Sequence, residues 1–305
     1  MAKRDASEMS AETAPPVAAS PAASSVACQR GSVCLVGAGP GDPELLTLKA
    51  AKRLEAAEVV LHDALISEDV LAMVPAGAEL INVGKRCGDV KDRGMQQQDI
   101  HDLMLLHGSR GRRVVRLKCG DPYVFARGGE EVEFLAEHGI PFEVVPGVTS
   151  VLGASASCSV PLTHRSFGVN HVRFVVGQSK AKCLPELDWA EIARDAMKQT
   201  TVFYMGYKSL DKICETLREN NAPEHTPMVL VESATMPAER AVHGTLATMP
   251  DIAKQSNIGE TGPVLFLMGP TAAFPAHLEK LAGGRPLKRL RPGVIGAACH
   301  PDGAS

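Results

Sequence analysis

The chain has 305 residues, of which 45% are hydrophobic and 22% charged, and its formal net charge is −3. This ordinary globular composition predicts one large or two modest domains with a sizeable core. The weak negative charge argues against general binding to nucleic acid or to a membrane surface.

The two ends of the chain differ in composition from its middle. Residues 1–30 are rich in Ala, Ser and Pro and have no apolar core behind a basic start, so we expect a disordered tail and not a signal peptide. Residues 276–305 mix Gly, Pro and basic residues and predict a second, loosely ordered tail. No apolar run is long enough to span a bilayer, and the eight cysteines form no Cys-x-x-Cys pair. We therefore expect a cytoplasmic protein without a bound metal.

The first half of the chain alternates predicted strands and helices. An apolar run predicts a buried strand at 32–36, after which Asp42 suits a helix N-cap and Pro43 the first helical position. Further strands are predicted at 58–62, 80–83, 113–117 and 142–145, and helices at 67–74, 99–107 and 129–138. This βαβ rhythm predicts an α/β lobe over 31–147 with a mostly parallel sheet.

A second α/β series follows Pro146-Gly147. The small residues of 149–158 predict a closely packed helix. Strands are predicted at 171–176, 201–205, 228–232, 240–246 and 264–268, the fourth of them antiparallel, and helices at 189–197 and 210–220. We therefore expect a second lobe over 148–275 with a mixed sheet. Ligands of such folds bind beyond the carboxyl ends of strands, which places the expected cleft between the lobes.

A glycine-rich turn, Gly37-Ala38-Gly39-Pro40-Gly41-Asp42, follows the first predicted strand. With Asp63 about twenty residues later, it resembles a dinucleotide-binding fingerprint. However, Asp42 replaces the third glycine and puts a negative charge where a pyrophosphate would bind. Pro40 and Pro43 also remove N–H groups from the turn. The turn therefore disfavours a pyrophosphate and tolerates a neutral or zwitterionic nucleoside, and a tight corner without any ligand remains open.

Six further stretches carry a resemblance to a known family. They are Gly84-Lys85-Arg86, Val114 to Pro122, Arg127-Gly128-Gly129-Glu130-Glu131, Val144 to Thr149, Pro161 to Arg165 and Phe203-Tyr204-Met205-Gly206. Together with the glycine turn, their order and spacing resemble the tetrapyrrole methyltransferase family over roughly residues 31–270. The resemblance implies a two-lobed α/β fold, S-adenosyl-L-methionine in the cleft between the lobes, and a homodimer.

The resemblance also implies which residues contact the cofactor. By position in the motifs they are Pro40, Cys119, Gly120, Asp121, Val124, Thr149, Ser150, Met205 and Ala234. Small residues let the backbone approach the cofactor, and the Met205 thioether offers a soft apolar wall. The Asp121 carboxylate suits the cofactor's ammonium group or its ribose hydroxyls.

Within this family, the resemblance implies a double methylation. Two methyl groups would pass to C2 and C7 of uroporphyrinogen III, giving precorrin-2, a precursor of sirohaem and cobalamin, and S-adenosyl-L-homocysteine. Catalytic roles fall by resemblance on Asp63, as a base or an orienting group for pyrrole N–H, and on Lys85, as a carboxylate ligand or proton-transfer group. A turn-capping aspartate and a solvated lysine are the alternatives for these two residues.

The eight carboxylates of this substrate call for cations at the mouth of the cleft. Four cations in the family motifs are the candidates, namely Arg86, Lys118, Arg127 and Arg165. Each of the four is as well explained by a structural ion pair. Glu130-Glu131 opens a predicted helix, where a dipole or capping role is the simple explanation.

The sequence departs from the family pattern at three places. Cys119 stands where glycine is usual, Ser166 where aspartate is usual, and the segment 87–96 is longer and lacks an expected proline. These changes bear on the substrate more than on the cofactor. Three other functions therefore remain open: methylation of a later corrin precursor, a nicotinamide-dependent oxidoreductase, and a non-catalytic tetrapyrrole carrier.

Overall fold

The computed structural model describes residues 30–84, 95–178 and 184–283. Over these ranges the chain forms two five-stranded sheets with helices packed on them. None of the helices within these ranges has the length and apolar character needed to cross a lipid bilayer.

The first sheet is entirely parallel. Its strands are β1 (Ser32–Gly37), β2 (Val59–His62), β3 (Glu79–Asn82), β4 (Arg113–Lys118) and β5 (Phe142–Val145), in the order β3-β2-β4-β1-β5. Alternate residues of β1 enter different apolar clusters: Cys34 and Val36 pack on one face, and Val33 and Leu35 on the other. Both faces of the sheet are therefore covered, as parallel sheets require.

Four helices cover this sheet, and the first three of them begin at a side-chain cap or a capping box. They are α1 (Leu48–Glu55), α2 (Glu68–Leu71), α3 (Gln97–Ser109) and α4 (Gly128–Glu137). The prediction that a helix begins at Pro43 is wrong, because only a short 3₁₀ turn, Pro43–Leu45, follows the Asp42 cap. The chain then leaves the helical conformation, and Thr47 caps α1 by accepting a hydrogen bond from the Ala50 N–H at 3.1 Å.

The second sheet is mixed. After α5 (Ser150–Ser157) come β6 (His171–Val176), β7 (Gln199–Tyr204), β8 (Pro227–Glu232), β9 (Arg240–Thr245) and β10 (Val264–Met268), in the order β6-β7-β10-β8-β9. β6 and β7 are parallel, and the other neighbours are antiparallel, including the predicted β9. The α/β class, with a parallel first sheet and a mixed second sheet, is confirmed.

Four more helices complete the described fold. They are α6 (Trp189–Arg194), α7 (Leu210–Glu219), α8 (Met249–Ser256) and α9 (Phe274–Leu281). α8 and α9 were not predicted, and α9 corrects the expectation of a loose tail from residue 276. Each begins with a proline in its first turn, where proline costs no hydrogen bond, so Pro250 and Pro275 mark helix starts and not loops. The lobe boundaries, 31–147 and 148–275, stay a prediction, and residues 1–29 and 284–305 lie outside the described ranges.

Candidate active site

The carboxyl ends of the parallel strands meet at one edge of the first sheet. The glycine turn follows β1, Asp63 follows β2, Cys119 to Asp121 follow β4, and Pro146-Gly147 follow β5. From the second sheet, Met205 comes directly after β7. This is the edge at which ligands bind in open α/β sheets.

Three glycines bring these loops into backbone contact. A Cβ on Gly147 would lie 2.1 Å from the Gly120 carbonyl oxygen and 2.8 Å from the Gly37 Cα. The N–H of Gly120 donates to the Gly39 carbonyl at 2.8 Å, and the N–H of Gly39 donates back at 3.2 Å. Any side chain at Gly37, Gly120 or Gly147 would push the loops apart or strain them. These glycines therefore serve the approach of the chain to itself.

Several N–H groups of the glycine turn are already used inside the protein. Ala38 N–H donates to a β4 carbonyl at 2.8 Å, and Asp42 N–H donates to Thr235 Oγ1 at 3.3 Å. The Glu44 N–H donates to the capping carboxylate of Asp42 at 2.9 Å, and Pro40 has no N–H. The turn does not present the row of free donors that a phosphate needs.

The turn is clamped between α5 and the loop after β8. A Cβ on Gly153 of α5 would lie 2.7 Å from Pro40 Cγ and 2.8 Å from Thr235 Cγ2. On the other side, Ser67 Oγ donates to the Gly41 carbonyl at 2.7 Å. Pro40, a predicted cofactor contact, thus lies where elements of both sheets meet.

Asp121 organises two of the loops. Its Oδ1 accepts the Tyr123 N–H at 2.8 Å, and its Oδ2 accepts the Gly147 N–H at 3.1 Å. A carboxylate oxygen has two lone pairs, so each oxygen keeps one acceptor site. The predicted contact with a cofactor ammonium or hydroxyl is compatible with this geometry and stays a prediction.

A polar pair inside the apolar cluster joins α5 to β7. Thr149 Oγ1 lies 2.8 Å from the Tyr204 hydroxyl oxygen, and burial raises the pKa of Tyr204. Val124 and Ala234, two further predicted cofactor contacts, belong to the same apolar cluster as Tyr204. The next residue, Met205, is 55% exposed although it is large and apolar. An exposed thioether beside this cluster suits an apolar contact with a ligand.

Backbone strain is concentrated in the loops of this site. Five residues other than glycine have a φ between 50° and 67° there, namely Phe125, Arg127, Met205, Ser233 and Thr235. Such conformations cost roughly 1–3 kcal/mol each and persist where the surroundings hold them. The strain indicates loops that packing keeps in one shape before any ligand arrives.

Asp63 is held by two hydrogen bonds at the end of β2. Its Oδ1 lies 2.6 Å from Arg116 Nη2, and its Oδ2 accepts the Cys119 N–H at 3.2 Å. Its side chain is 28% exposed, so the carboxylate is anchored and still accessible. Burial and the neighbouring Asp63 charge raise the pKa of the Cys119 thiol to about 11.

Behind Asp63 lies a buried ion network. Arg116 Nε at 3.1 Å and Lys118 Nζ at 2.9 Å both donate to Glu131 Oε1, and the three side chains are at most 3% exposed. Burial opposes the charge of Arg116, but Asp63 and Glu131 outweigh it and raise its pKa. Burial, with the adjacent Arg116 charge, lowers the pKa of Lys118. Lys118 thus has its partner inside the protein, and a direct bond to a substrate carboxylate would require that pair to open.

The remaining predicted cations lie elsewhere. Arg127 is half-exposed and pairs with Glu130, with 2.9 Å between its Nε and Oε1. Arg165 is exposed at the start of a short 3₁₀ turn between α5 and β6. Lys85 and Arg86 lie outside the described residues. The substrate-binding roles of these cations stay predictions.

The sequence does not predict the site roles of Glu131 and Thr235. The sequence predicts a dipole or capping role for Glu131 at the start of a helix, but its side chain is completely buried and paired with Arg116. The available signal was Arg116 itself, because a cation inside a buried apolar strand requires a partner. Thr235 gave no signal, since its bond to the Asp42 N–H joins residues 193 positions apart.

Comparisons with known proteins agree with this architecture. Residues 32–250 match the family described as Tetrapyrrole (Corrin/Porphyrin) Methylases. The chain is 44% identical over 254 residues to a sirohaem synthase of Neisseria meningitidis serogroup B, covering 83% of this chain and 50% of that protein. A sirohaem synthase of Thiobacillus denitrificans is 41% identical over 257 residues. The chain thus spans about half the length of the curated relatives it matches.

Solved structures show the same fold. The uroporphyrin-III C-methyltransferase of Thermus thermophilus, complexed with S-adenosyl homocysteine, is 40% identical with a TM-score of 0.65, covering 80% of this chain and 99% of that one. A cobalt precorrin-4 methyltransferase of cobalamin biosynthesis is 29% identical with a TM-score of 0.69, covering 79% and 96%. Within the described ranges, no group of three or more His, Cys, Asp or Glu side chains is arranged to hold a metal.

Proposed function

The chain belongs to the tetrapyrrole (corrin/porphyrin) methylases, and we propose that it transfers two methyl groups from S-adenosyl-L-methionine to C2 and C7 of uroporphyrinogen III, giving precorrin-2 and S-adenosyl-L-homocysteine. The observation that carries the proposal is the match to the Thermus uroporphyrin-III C-methyltransferase over almost that enzyme's whole length. The cobalt precorrin-4 methyltransferase, at lower identity, supports the reaction class more than the substrate.

The chemistry of the site fits a zwitterionic nucleoside. The glycine turn uses its donors internally and carries Asp42, which disfavours a pyrophosphate and tolerates a ligand without phosphate. Met205 offers an exposed apolar side chain, and Asp121 keeps acceptor sites for ammonium or hydroxyl groups. S-adenosyl-L-methionine would supply a methyl group on a positively charged sulfur, which is already a strong electrophile.

The protein then has to align a pyrrole carbon with that methyl group and keep water out. The strained, interlocked loops provide a rigid frame for this alignment. We propose that Asp63 orients pyrrole N–H groups or accepts a proton after the methyl group has been transferred, and its anchored carboxylate with 28% exposure supports this role.

Methyl transfer from radiolabelled S-adenosyl-L-methionine to uroporphyrinogen III under anaerobic conditions tests the proposal. We expect label in a tetrapyrrole product in two equivalents, with fluorescence of the oxidised product. Samples without uroporphyrinogen III or with heat-denatured protein are the controls. A folded protein that binds S-adenosylhomocysteine but incorporates no label would overturn the proposal.

The methyl-transfer assay, together with binding measurements, separates the alternatives. A methyltransferase of a later corrin precursor would label that precursor and not uroporphyrinogen III. A non-catalytic carrier would bind the tetrapyrrole without incorporating label. A nicotinamide-dependent oxidoreductase would bind NADH more tightly than S-adenosylhomocysteine, which a calorimetric titration measures directly.

Supply of precorrin-2 for sirohaem is the pathway role that the sirohaem synthase relatives favour. Since those relatives are about twice as long as the matched region, their complete activity is not carried over. Feeding the product to a dehydrogenase and ferrochelatase of the sirohaem route would test whether it serves as their substrate.

A homodimer is also part of the proposal. The edge strand β6 exposes Val172 by 38% and Phe174 by 36%, and Leu152 of α5 is 49% exposed. An apolar edge strand of this kind favours burial against a second copy. Analytical ultracentrifugation should give twice the monomer mass, and Val172→Asp with Phe174→Asp should shift the protein to monomer. A monomeric wild type would contradict the proposed homodimer.

A cytoplasmic location remains an expectation that cell fractionation would check.

A further inference from the structure

We propose that Arg116 is a positioning residue for the reaction, which fixes the Asp63 carboxylate in one orientation, and that Glu131 holds Arg116 in place from the opposite side. The inference rests on the proposed function, in which Asp63 acts on the substrate. It concerns a role for buried residues that do not themselves reach the cleft.

All three nitrogens of the Arg116 guanidinium make hydrogen bonds within the protein. Its Nη2 contacts Asp63 Oδ1 at 2.6 Å, and its Nε donates to Glu131 Oε1 at 3.1 Å. Its Nη1 donates to the carbonyls of Leu61 at 3.3 Å and Leu117 at 3.1 Å. The planar group is thus tied to β2, β4 and α4 together, and it cannot rotate without breaking several bonds.

The fixed guanidinium in turn restricts the Asp63 carboxylate. One carboxylate oxygen is held by Arg116 and the other by the Cys119 N–H at 3.2 Å. With both oxygens engaged, the carboxylate can neither swing about its Cα–Cβ bond nor turn over. A group that must meet a reacting atom in one geometry gains rate from this restriction.

Glu131 holds the Arg116 guanidinium in its position. Its carboxylate is fully buried and accepts from Arg116, from Lys118 at 2.9 Å and from Gln97 Nε2 at 3.2 Å on the same oxygen. Two cations and the carboxylates of Asp63 and Glu131 balance in charge. Without Glu131, the Nε side of the Arg116 guanidinium would lose its partner, and Arg116 would no longer hold Asp63 in one orientation.

Arg116→Lys is the primary test. Lysine keeps the charge but can reach only one of the two carboxylates, so the Asp63 orientation is lost. We expect kcat for methyl transfer to fall about a hundredfold. The Kd for S-adenosylhomocysteine and the KM for uroporphyrinogen III should change by less than about threefold, because only the reacting geometry is altered.

A matched control comes from another arginine–carboxylate pair. Arg53 contacts Glu143 Oε2 at 2.7 Å between α1 and β5, away from Asp63, and its side chain is 11% exposed. Arg53→Lys should leave kcat unchanged after correction for the folded fraction by thermal unfolding. An equal loss of kcat in both variants would overturn the inference, because it would reflect general destabilisation.

A double-mutant cycle separates positioning from a structural role. If Arg116 acts through Asp63, Arg116→Lys should cost no further single-turnover rate in an Asp63→Asn protein. Equal costs in both backgrounds, or wild-type kcat in Arg116→Lys or Asp63→Asn, would overturn the inference. Should Arg116→Lys not fold, Glu131→Gln replaces it in the same cycle. A wild type that transfers no methyl group refutes the proposed function itself, whereas an active wild type with an indifferent Arg116 refutes only the inference.

Discussion

Two buried cations, Arg116 and Lys118, lie on β4 beside valines and a leucine. Arg116 lies between Leu35 of β1 and Leu61 of β2 in the sheet register, where an apolar residue would be expected. Buried charges of this kind are tolerated only when they are paired and hydrogen-bonded. Glu131 of α4 pairs with both cations, and Asp63 is a second carboxylate partner of Arg116.

The neighbouring glutamates of α4 allow a direct comparison. Glu131→Ala should lower the free energy of unfolding by about 3–5 kcal/mol, because it leaves the buried Lys118 without its carboxylate and Arg116 with Asp63 alone. Glu130→Ala removes a half-exposed pair with Arg127 and should cost at most about 1 kcal/mol. Urea unfolding followed by circular dichroism measures both, and equal costs would contradict the buried network.

Cys119 is expected to react slowly with alkylating reagents, although it is one of the predicted cofactor contacts. With its thiol pKa raised to about 11 by burial and Asp63, almost no thiolate exists at pH 8. Iodoacetamide should label Cys119 in the folded protein far more slowly than in urea, as measured by peptide mass spectrometry. Equal labelling in the two states would contradict this environment.

Met205 combines a left-handed backbone with an exposed side chain. Its φ is 55° and its exposure 55%, so Met205→Gly removes strain and little buried surface. We expect stability to change by less than about 1 kcal/mol. The affinity for S-adenosylhomocysteine should fall about tenfold or more through the lost apolar contact. Asn221→Gly, with a φ of 63° on a loop after α7, is the matched control and should leave this affinity unchanged.

At the scale of elements, the loop after α8 depends on one buried carboxylate at the end of β8. Glu232 Oε1 accepts the Thr261 N–H at 2.8 Å, the Thr261 hydroxyl at 2.9 Å and the Gly262 N–H at 2.9 Å. Burial opposes its ionisation, but these donors prevail and hold the pKa of Glu232 below its usual value. The loop is thereby fastened next to Ser233, directly before the predicted contact Ala234.

This anchor makes part of the stability depend on pH. A carboxylate with a lowered pKa stabilises the fold fully above its unfolded pKa, near 4.5, and loses that contribution as the pH falls through the folded value. Glu232→Gln should therefore be less stable than wild type at pH 7, and the difference should shrink below about pH 4.5. Urea titrations from pH 7 to pH 3 measure it. Glu79→Gln, at the exposed edge strand β3, is the control, and a constant difference for Glu232→Gln would contradict the anchor.

For the whole molecule, the decisive contact is the clamp of the glycine turn. Gly153 of α5 leaves no space for a side chain between Pro40 and Thr235. Gly153→Val should separate the turn from the second-sheet loop and weaken S-adenosylhomocysteine binding about tenfold or more, because a small misplacement of a preformed site is costly. Gly129→Ala, on α4 with open space around it, is the matched control.

Thermal unfolding with and without the ligand reads out this change. A ligand at a hundred times its Kd adds about 2.7 kcal/mol to the stability of a protein that binds it only when folded. Wild type and Gly129→Ala should therefore show the same rise in Tm with S-adenosylhomocysteine, and Gly153→Val a smaller one at equal ligand concentration. An undiminished rise in Gly153→Val would show that the clamp does not shape the ligand site.

Much of the fold could be predicted because its signals are local. The sequence predicts β1 to β10 and the cap at Asp42, and α2 lies within the helix predicted at 67–74. The differences are local as well: Asp42 caps only a 3₁₀ turn, and the sequence does not predict α8 and α9, which begin with a proline in the first turn. The order of motifs was sufficient for the family, because loops after consecutive parallel strands meet at one edge.

By itself, the sequence determined the α/β class, the mixed second sheet, the exclusion of a phosphate site at the glycine turn and the family. Only the tertiary structure decided the roles of Glu131, Thr235 and Gly153, and the internal pairing of Lys118. The physical reason is distance along the chain. Periodicity and capping act within a few residues, whereas an ion network or a backbone clamp depends on which distant segments meet, and that is settled only when the sheets are assembled.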